Sequence, residues 1–220
     1  MLATLNTGRV IGILLLLQFI GGILVNMVLT APLFGEPGYL VNGAIYSRQI
    51  GLSALIGLGN GGLALAVAIT AWPSFRAHSS ALAIWFVALS GIGFAAIAVE
   101  QVGVMSMVSF SEAYSVASAV EQETLAVHKV VVSGLRNGAH YTALLISGCT
   151  LFVLYLMLFR FTLVPRALSA FGLAAVVLQL GVIGGTFFGI DANLQLLAPL
   201  GLSQIALILW LLTKGFRNSE

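Results

Sequence analysis

Glu100, Arg136 and His140 are the side chains best placed to do chemistry, because each is ionisable and each sits at the edge of a long apolar run. Ionisable groups beside hydrocarbon are costly and default to a functional reading. Asn137, Asn60 and Gln179 add amides in or next to similar runs. Together these six residues define an expected polar, ligand-binding pocket. Asn26, Gln101 and Gln204 are further amides within apolar segments. Counted along the segments, Asn26, Glu100, Gln101, Asn137 and His140 fall toward one membrane face, and Asn60, Gln179 and Gln204 nearer the midplane. None falls deep on the other side, so the pocket is expected to open one way.

A carboxylate at the position of Glu100 wants a partner, and Arg136 or His140 can supply one. The pair reads either as a structural ion pair or as a ligand or proton site. His140 by itself is compatible with metal ligation, haem ligation, proton acceptance or packing. Glu100, His128, His140 and Asp191 have the ligand types of a zinc site, but no H-E-x-x-H or comparable spacing is present. His128 and His140 lie about 18 Å apart on an unbroken helix, so joint ligation needs a break near Gly134 or Gly138. Haem held by two histidines lacks its facing ligands. Ser147 shares a helical face with His140 but lies about 10 Å away along the axis, too far for a nucleophile–base hydrogen bond. No phosphate loop, dinucleotide fingerprint or nucleophile elbow occurs in its required strand-to-helix context. Cys149 is the single cysteine, so no intramolecular disulfide forms, and a thiol within a span reads as packing. The residues thus assign no catalytic group, no metal and no cofactor.

The elements that must position these groups are membrane spans. Hydrophobic residues make up 60% of the 220 and charged residues only 7%, against about 25% charged in soluble domains. About 20 apolar residues cross roughly 30 Å of hydrocarbon as a helix. Six segments qualify, over residues 10–29, 50–72, 81–103, 141–159, 168–188 and 194–213. They lack the alternation of a membrane barrel. The first is too long for the apolar core of a secretory signal and reads as an uncleaved span.

The predicted fold is therefore all-α: a polytopic six-transmembrane-helix bundle forming one integral membrane domain over residues 1–220. Arg9, Arg76, Arg160, Arg166, Lys214 and Arg217 fall on one side, and Arg48, Lys129 and Arg136 on the other. The positive-inside rule then puts both termini in the cytoplasm. A net charge of only +2, carried on short span flanks, excludes a nucleic-acid surface.

Four of the five connections are short. The exception, 104–136, is expected to hold an extra amphipathic helical segment between spans three and four, lying over the outer mouth of the bundle. Ser111 followed by Glu112 resembles an N-cap with an acidic first turn. Leu125, Val127, Val130, Val131 and Leu135 mark its apolar face. Gly57 and Gly61, and Gly181, Gly185 and Gly189, have the G-x-x-x-G spacing that lets helices approach within the bundle, in a homo-oligomer or against a membrane-protein partner. Asn60, flanked by Gly59 and Gly62, suggests a helix break, and Pro199 a kink in span six.

Two motifs carry a family resemblance. The run Thr7-Gly8-Arg9-Val10-Ile11-Gly12-Ile13-Leu14 resembles the start of a bacterial six-span family, domain of unknown function 4386. Leu158-Phe159-Arg160 followed by Val164-Pro165-Arg166-Ala167-Leu168-Ser169-Ala170-Phe171-Gly172 resembles its Pro-Arg turn between spans four and five, with Ser169 where glycine is expected. The resemblance covers nearly the whole chain and implies a bacterial inner-membrane protein. It supplies no activity and no catalytic residue. The physical reading of the turn is a topological clamp, with Pro165 opening span five and the arginines at the headgroups.

The functional expectation is a non-catalytic binding or accessory subunit of the inner membrane, with an outward polar pocket for a lipid headgroup or small amphiphile. The rivals are a small-molecule transporter, which needs a second access route, and an intramembrane metal-dependent hydrolase. Membrane lipids are the expected partners, and nucleic acid is not.

Overall fold

The structure, a computed structural model, describes residues 7–217. Its long elements are α1 (Thr7–Ile23), continued by a π-helix (Leu24–Leu29), then α4 (Ser47–His78), α5 (Ser80–Val116), α6 (Ala119–Arg160), α7 (Arg166–Thr186) and α8 (Ala198–Lys214). Two short helices, α2 (Ala31–Phe34) and α3 (Tyr39–Ile45), fill the first connection, and a 3-10 turn (Leu194–Leu197) precedes α8. Six of these helical stretches are long and apolar enough to cross a membrane. No strand occurs among the described residues. Helices satisfy their own backbone hydrogen bonds, which is what an apolar solvent demands.

Contacts gather the chain into two compact units. The first joins the residues up to Gln18 with Gly62–Phe94 and those from Leu144 onward; the second joins Phe19–Gly61 and Ala95–Ala143. The first unit is built around Phe75, Phe86, Leu154, Tyr155, Leu158 and Leu211, all buried. Tyr155 is completely enclosed and donates its hydroxyl to Ser203 Oγ at 3.1 Å, while Ser203 donates to the Leu200 carbonyl. Gly8 and Gly12 lie one turn apart on α1 and let that helix meet α8 closely. A Cβ at Gly12 would stand 3.0 Å from Leu211 Cβ, and one at Gly8 would strike the Phe216 backbone nitrogen.

Basic residues collect at one end of this unit. Arg9 donates to the Thr213 carbonyl at 3.3 Å, and the Arg217 amide donates to the Leu163 carbonyl at 2.8 Å. The His78 and Phe161 rings lie 4.9 Å apart. The Pro-Arg turn falls here, with Pro165 (φ −53°, ψ 131°) just before α7 and Val164 fully buried.

Several expectations are corrected. The stretch 104–136 is helical, but its helix is not a separate surface element. It is the direct continuation of α5 and α6, interrupted only around Ala117 and Ser118. No glycine or proline occurs between Gly103 and Ser118 to break the helix. There the Ser118 amide and hydroxyl both donate to Glu121 Oε2, at 2.8 and 2.7 Å, capping α6. Ser111 is therefore no N-cap; it lies buried inside α5.

Asn60 sits within the unbroken α4, so the expected break is absent. Pro199 occupies the first turn of α8 rather than kinking it, a position where its missing N–H costs nothing. Gly181 faces open space and Gly189 lies beyond α7 with φ +78°, so that glycine series is no packing seam within the described chain.

Gly172, in contrast, underlies the Tyr155 ring, which a Cβ would overlap. We predict that Gly172→Ala displaces the ring and lowers stability by about 1–3 kcal/mol. Gly181→Ala, at an open position, should stay within about 0.5 kcal/mol of wild type. Unfolding in detergent followed by a tryptophan signal checks both.

Candidate polar site in the second unit

The site starts from α5 and α6, which run side by side where Gly103 meets Arg136. A Cβ on Gly103 would stand 3.2 Å from Arg136 Cα. One turn away, Glu100 Oε1 receives two donors. His140 Nδ1–H donates to it at 2.7 Å, and Arg136 Nη2 reaches it at 3.5 Å. The shorter contact is a strong charge-assisted hydrogen bond, and the longer is at the limit for one. His140 is thus the main partner of Glu100, and Arg136 supplies charge. All three side chains are largely shielded, at 12%, 9% and 22% exposure for Glu100, Arg136 and His140. Arg136 Nη1 also donates to Asn137 Oδ1 at 3.3 Å, while its Nε is buried with no acceptor.

Of the six residues expected to form one pocket, four come together: Glu100, Arg136, Asn137 and His140. Asn60 is elsewhere in the second unit, its amide against Gly21. Gln179 belongs to the first unit and donates to the Leu144 carbonyl at 3.2 Å. His128 and His140 share the unbroken α6, about 18 Å apart. Among the described residues no three His, Cys, Asp or Glu side chains converge as metal ligands.

The first connection completes the site with residues beyond those expected to form it. Phe34, at the end of α2, lies under the Arg136 guanidinium, 4.8 Å from ring centroid to Cζ. That cation–π contact substitutes for water over a shielded cation. Phe34 is held there by Asn42, whose Nδ2 donates to the carbonyls of Pro32 at 2.8 Å and Gly35 at 3.0 Å. Ser111 ties α3 to α5 by donating to the Leu40 carbonyl and accepting the Ala44 amide, each at 2.7 Å. Tyr39 donates to the Lys129 carbonyl at 3.1 Å, and burial pushes its phenol above the usual range, keeping that donor protonated. The available signal was Asn42 among turn-forming Gly and Pro residues.

Beside this cluster, on another face of α5, lies a groove of ≈ 930 Å³. It runs between α4 (Gly51, Ala54, Leu55, Leu58) and α5 from Ala98 to Ala113, with Val132 of α6. Gln101 is its one buried polar side chain, packed flat on Gly57, with Oε1 lacking any hydrogen-bond donor. An unpaired buried acceptor costs about 1–3 kcal/mol. The groove's size lies at the upper end for ligand sites, about 300–1,000 Å³.

Comparison with known proteins adds one finding. The model of the family described as a domain of unknown function, DUF4386, matches residues 10–215. The chain belongs to the DUF4386 family. No curated protein and no solved structure gives a match. Membership of DUF4386 agrees with the six-helix membrane architecture and names no chemistry.

Two predictions follow from the contacts. Arg136→Met removes the positive charge facing Glu100 and leaves the carboxylate on His140 alone, which should cost about 1–3 kcal/mol, whereas the Glu100→Gln, Arg136→Met double should cost less than the sum by about 0.5–3 kcal/mol. A thermal double-mutant cycle in detergent measures this, and strict additivity would exclude the coupling. Asn42→Asp, which removes the donor to two carbonyls, should destabilise the second unit by about 1–3 kcal/mol. Faster hydrogen exchange confined to residues 31–45 is the expected signature.

Proposed function

We propose that this DUF4386 protein is a non-catalytic binding protein of the bacterial inner membrane. Both termini face the cytoplasm, and the second unit receives a lipid or small amphiphile on the outward side. The observation that carries the reading is the groove: large, almost wholly apolar, and holding one buried amide with an unpaired oxygen. Orientation is supported by the basic side chains at one end of the first unit, where Arg9 and Arg217 are bonded into the bundle.

The Glu100–Arg136–His140 cluster serves this reading as a positioning device. It fixes α5 against α6, and with them the floor of the groove. A transport path finds less support. The buried polar side chains of the first unit are Ser90, Ser169, Gln179 and Ser203, with no charged group among those described.

The test is recovery of ligand from protein extracted in polymer discs without detergent, followed by native mass spectrometry. We expect an amphiphile bound in stoichiometric amount. A Glu100→Gln, His140→Ala double should retain it roughly tenfold less well, equivalent to about 1.4 kcal/mol. Recovery of bare protein under all conditions would sink the proposal. Reporter fusions at the two ends should both report a cytoplasmic location.

A further inference from the structure

One end of the first unit carries cations without counter-charge. Arg9, Arg76, Arg160, Arg166, Lys214 and Arg217 are all exposed, and no Asp or Glu among the described residues pairs with any of them. The unit's one described carboxylate, Asp191, follows the far end of α7, about 30 Å along that helix from Arg166. Contacts draw the six onto one surface. Arg9 Nη2 donates at 3.3 Å to the carbonyl of Thr213, next to Lys214. The Arg217 amide donates at 2.8 Å to the Leu163 carbonyl, in the turn that joins Arg160 to Arg166. His78 packs on Phe161 at 4.9 Å, which brings the end of α4, with Arg76, against the same turn.

Three of these cations are held in place without being neutralised. Arg76 lies over Trp72 at 6.0 Å, Arg160 over Phe161 at 5.8 Å and Arg217 over Trp210 at 5.5 Å, from Cζ to ring centroid. A ring orients a cation without consuming its N–H donors. Close to the cations the surface turns apolar: Ile13 on α1, Phe159 on α6 and Leu209 on α8 are 41%, 38% and 58% exposed. The 21 residues of α7 rise about 32 Å, close to the roughly 30 Å of hydrocarbon, so Arg166 at its start belongs at the headgroup boundary.

We propose that the basic end of the first unit selects anionic phospholipids from the adjoining leaflet. The cations take the phosphate-bearing heads, and the acyl chains lie on the exposed apolar side chains just beyond. Charge complementarity assigns the occupant. A zwitterionic head brings its own ammonium, for which this surface has no carboxylate, so it adds a cation beside six others. A soluble phosphate would answer the cations and leave the adjoining apolar surface uncovered. The site lies wholly in the first unit and does not depend on the groove of the second.

Full-length protein in nanodiscs of equimolar phosphatidylglycerol and phosphatidylcholine, with identical chains, is released in a native mass spectrometer and its retained lipids are counted. Phosphatidylglycerol is expected in about threefold excess or more. The Arg76→Gln, Arg160→Gln, Arg166→Gln triple should bring the two lipids to near parity, and the corresponding triple to Lys should keep the excess. Each single Gln variant, at an exposed position, should lower the excess in part, which gives the same answer if the triple does not fold. Lys129→Gln, which removes an exposed cation of the second unit, should leave the excess unchanged. In neutral detergent, added phosphatidylglycerol should raise the melting temperature, less so at high salt, while phosphatidylcholine and glycerol phosphate should not. Equal retention of the two lipids by wild type overturns the proposal. So does an undiminished excess in the folded Gln triple, or an equal loss in Lys129→Gln. A shift by glycerol phosphate matching that of the lipid would assign a soluble phosphate ligand instead.

Discussion

A carboxylate at the edge of hydrocarbon must be matched, and the second unit is organised around matching Glu100. His140 does most of it through the 2.7 Å bond, and Arg136 adds charge from 3.5 Å. Both donors come from α6, four residues and one turn apart, so the pairing fixes the rotation and register of α6 against α5. Arg136 then has to be shielded in turn. Phe34 covers its guanidinium, which draws the α2–α3 connection onto the same spot. One desolvated charge thus determines the placement of three chain segments. Beside hydrocarbon the alternative to each contact is an unpaired ion, which is why such networks are held closely.

The α2–α3 connection shows how a short polar vocabulary can fold an irregular segment. Asn42 donates to the Pro32 and Gly35 carbonyls, and Ser111 both donates and accepts across to α3. These bonds help a chain with two glycines and one proline between α2 and α3 sit against apolar helices. Gly43 permits the approach, since a Cβ there would stand 2.6 Å from Ser111 Cβ. The same logic explains Gly57 beneath the Gln101 amide and Gly103 beneath Arg136. In each case a missing side chain makes room for a polar one.

Close helix approach is used selectively. Gly8 and Gly12 bring α1 onto α8, and Gly172 accommodates the Tyr155 ring, while Gly181 and Gly184 face open space. Spacing of small residues therefore identifies where helices can approach and not where they do. The partner surface decides: Leu211 and the Phe216 backbone meet the first pair, and nothing within the described chain meets the second.

The sequence by itself determined the solvent and the element type. Its 7% charge and six long apolar runs admit only membrane helices, because backbone polar groups have no other partner in lipid. The Thr7–Leu14 and Val164–Gly172 motifs were enough to indicate the family, and Glu100, Arg136 and His140 were recognisable as costly groups in need of one another. Depth along a helix can be counted, so their approach was legible. Tertiary structure alone decided that 104–136 extends α5 and α6, that Phe34 and Asn42 close over Arg136, that Gln179 bonds to the Leu144 carbonyl and that Asn60 packs on Gly21. Those outcomes depend on which faces of different helices meet, and rotational register is set by contacts between distant residues, which a one-dimensional pattern does not contain. The groove belongs to the same class. Apart from Gln101, Ser106 and Ser109, its lining residues read individually as ordinary apolar or small residues, and only the separation between α4 and α5 makes them a groove.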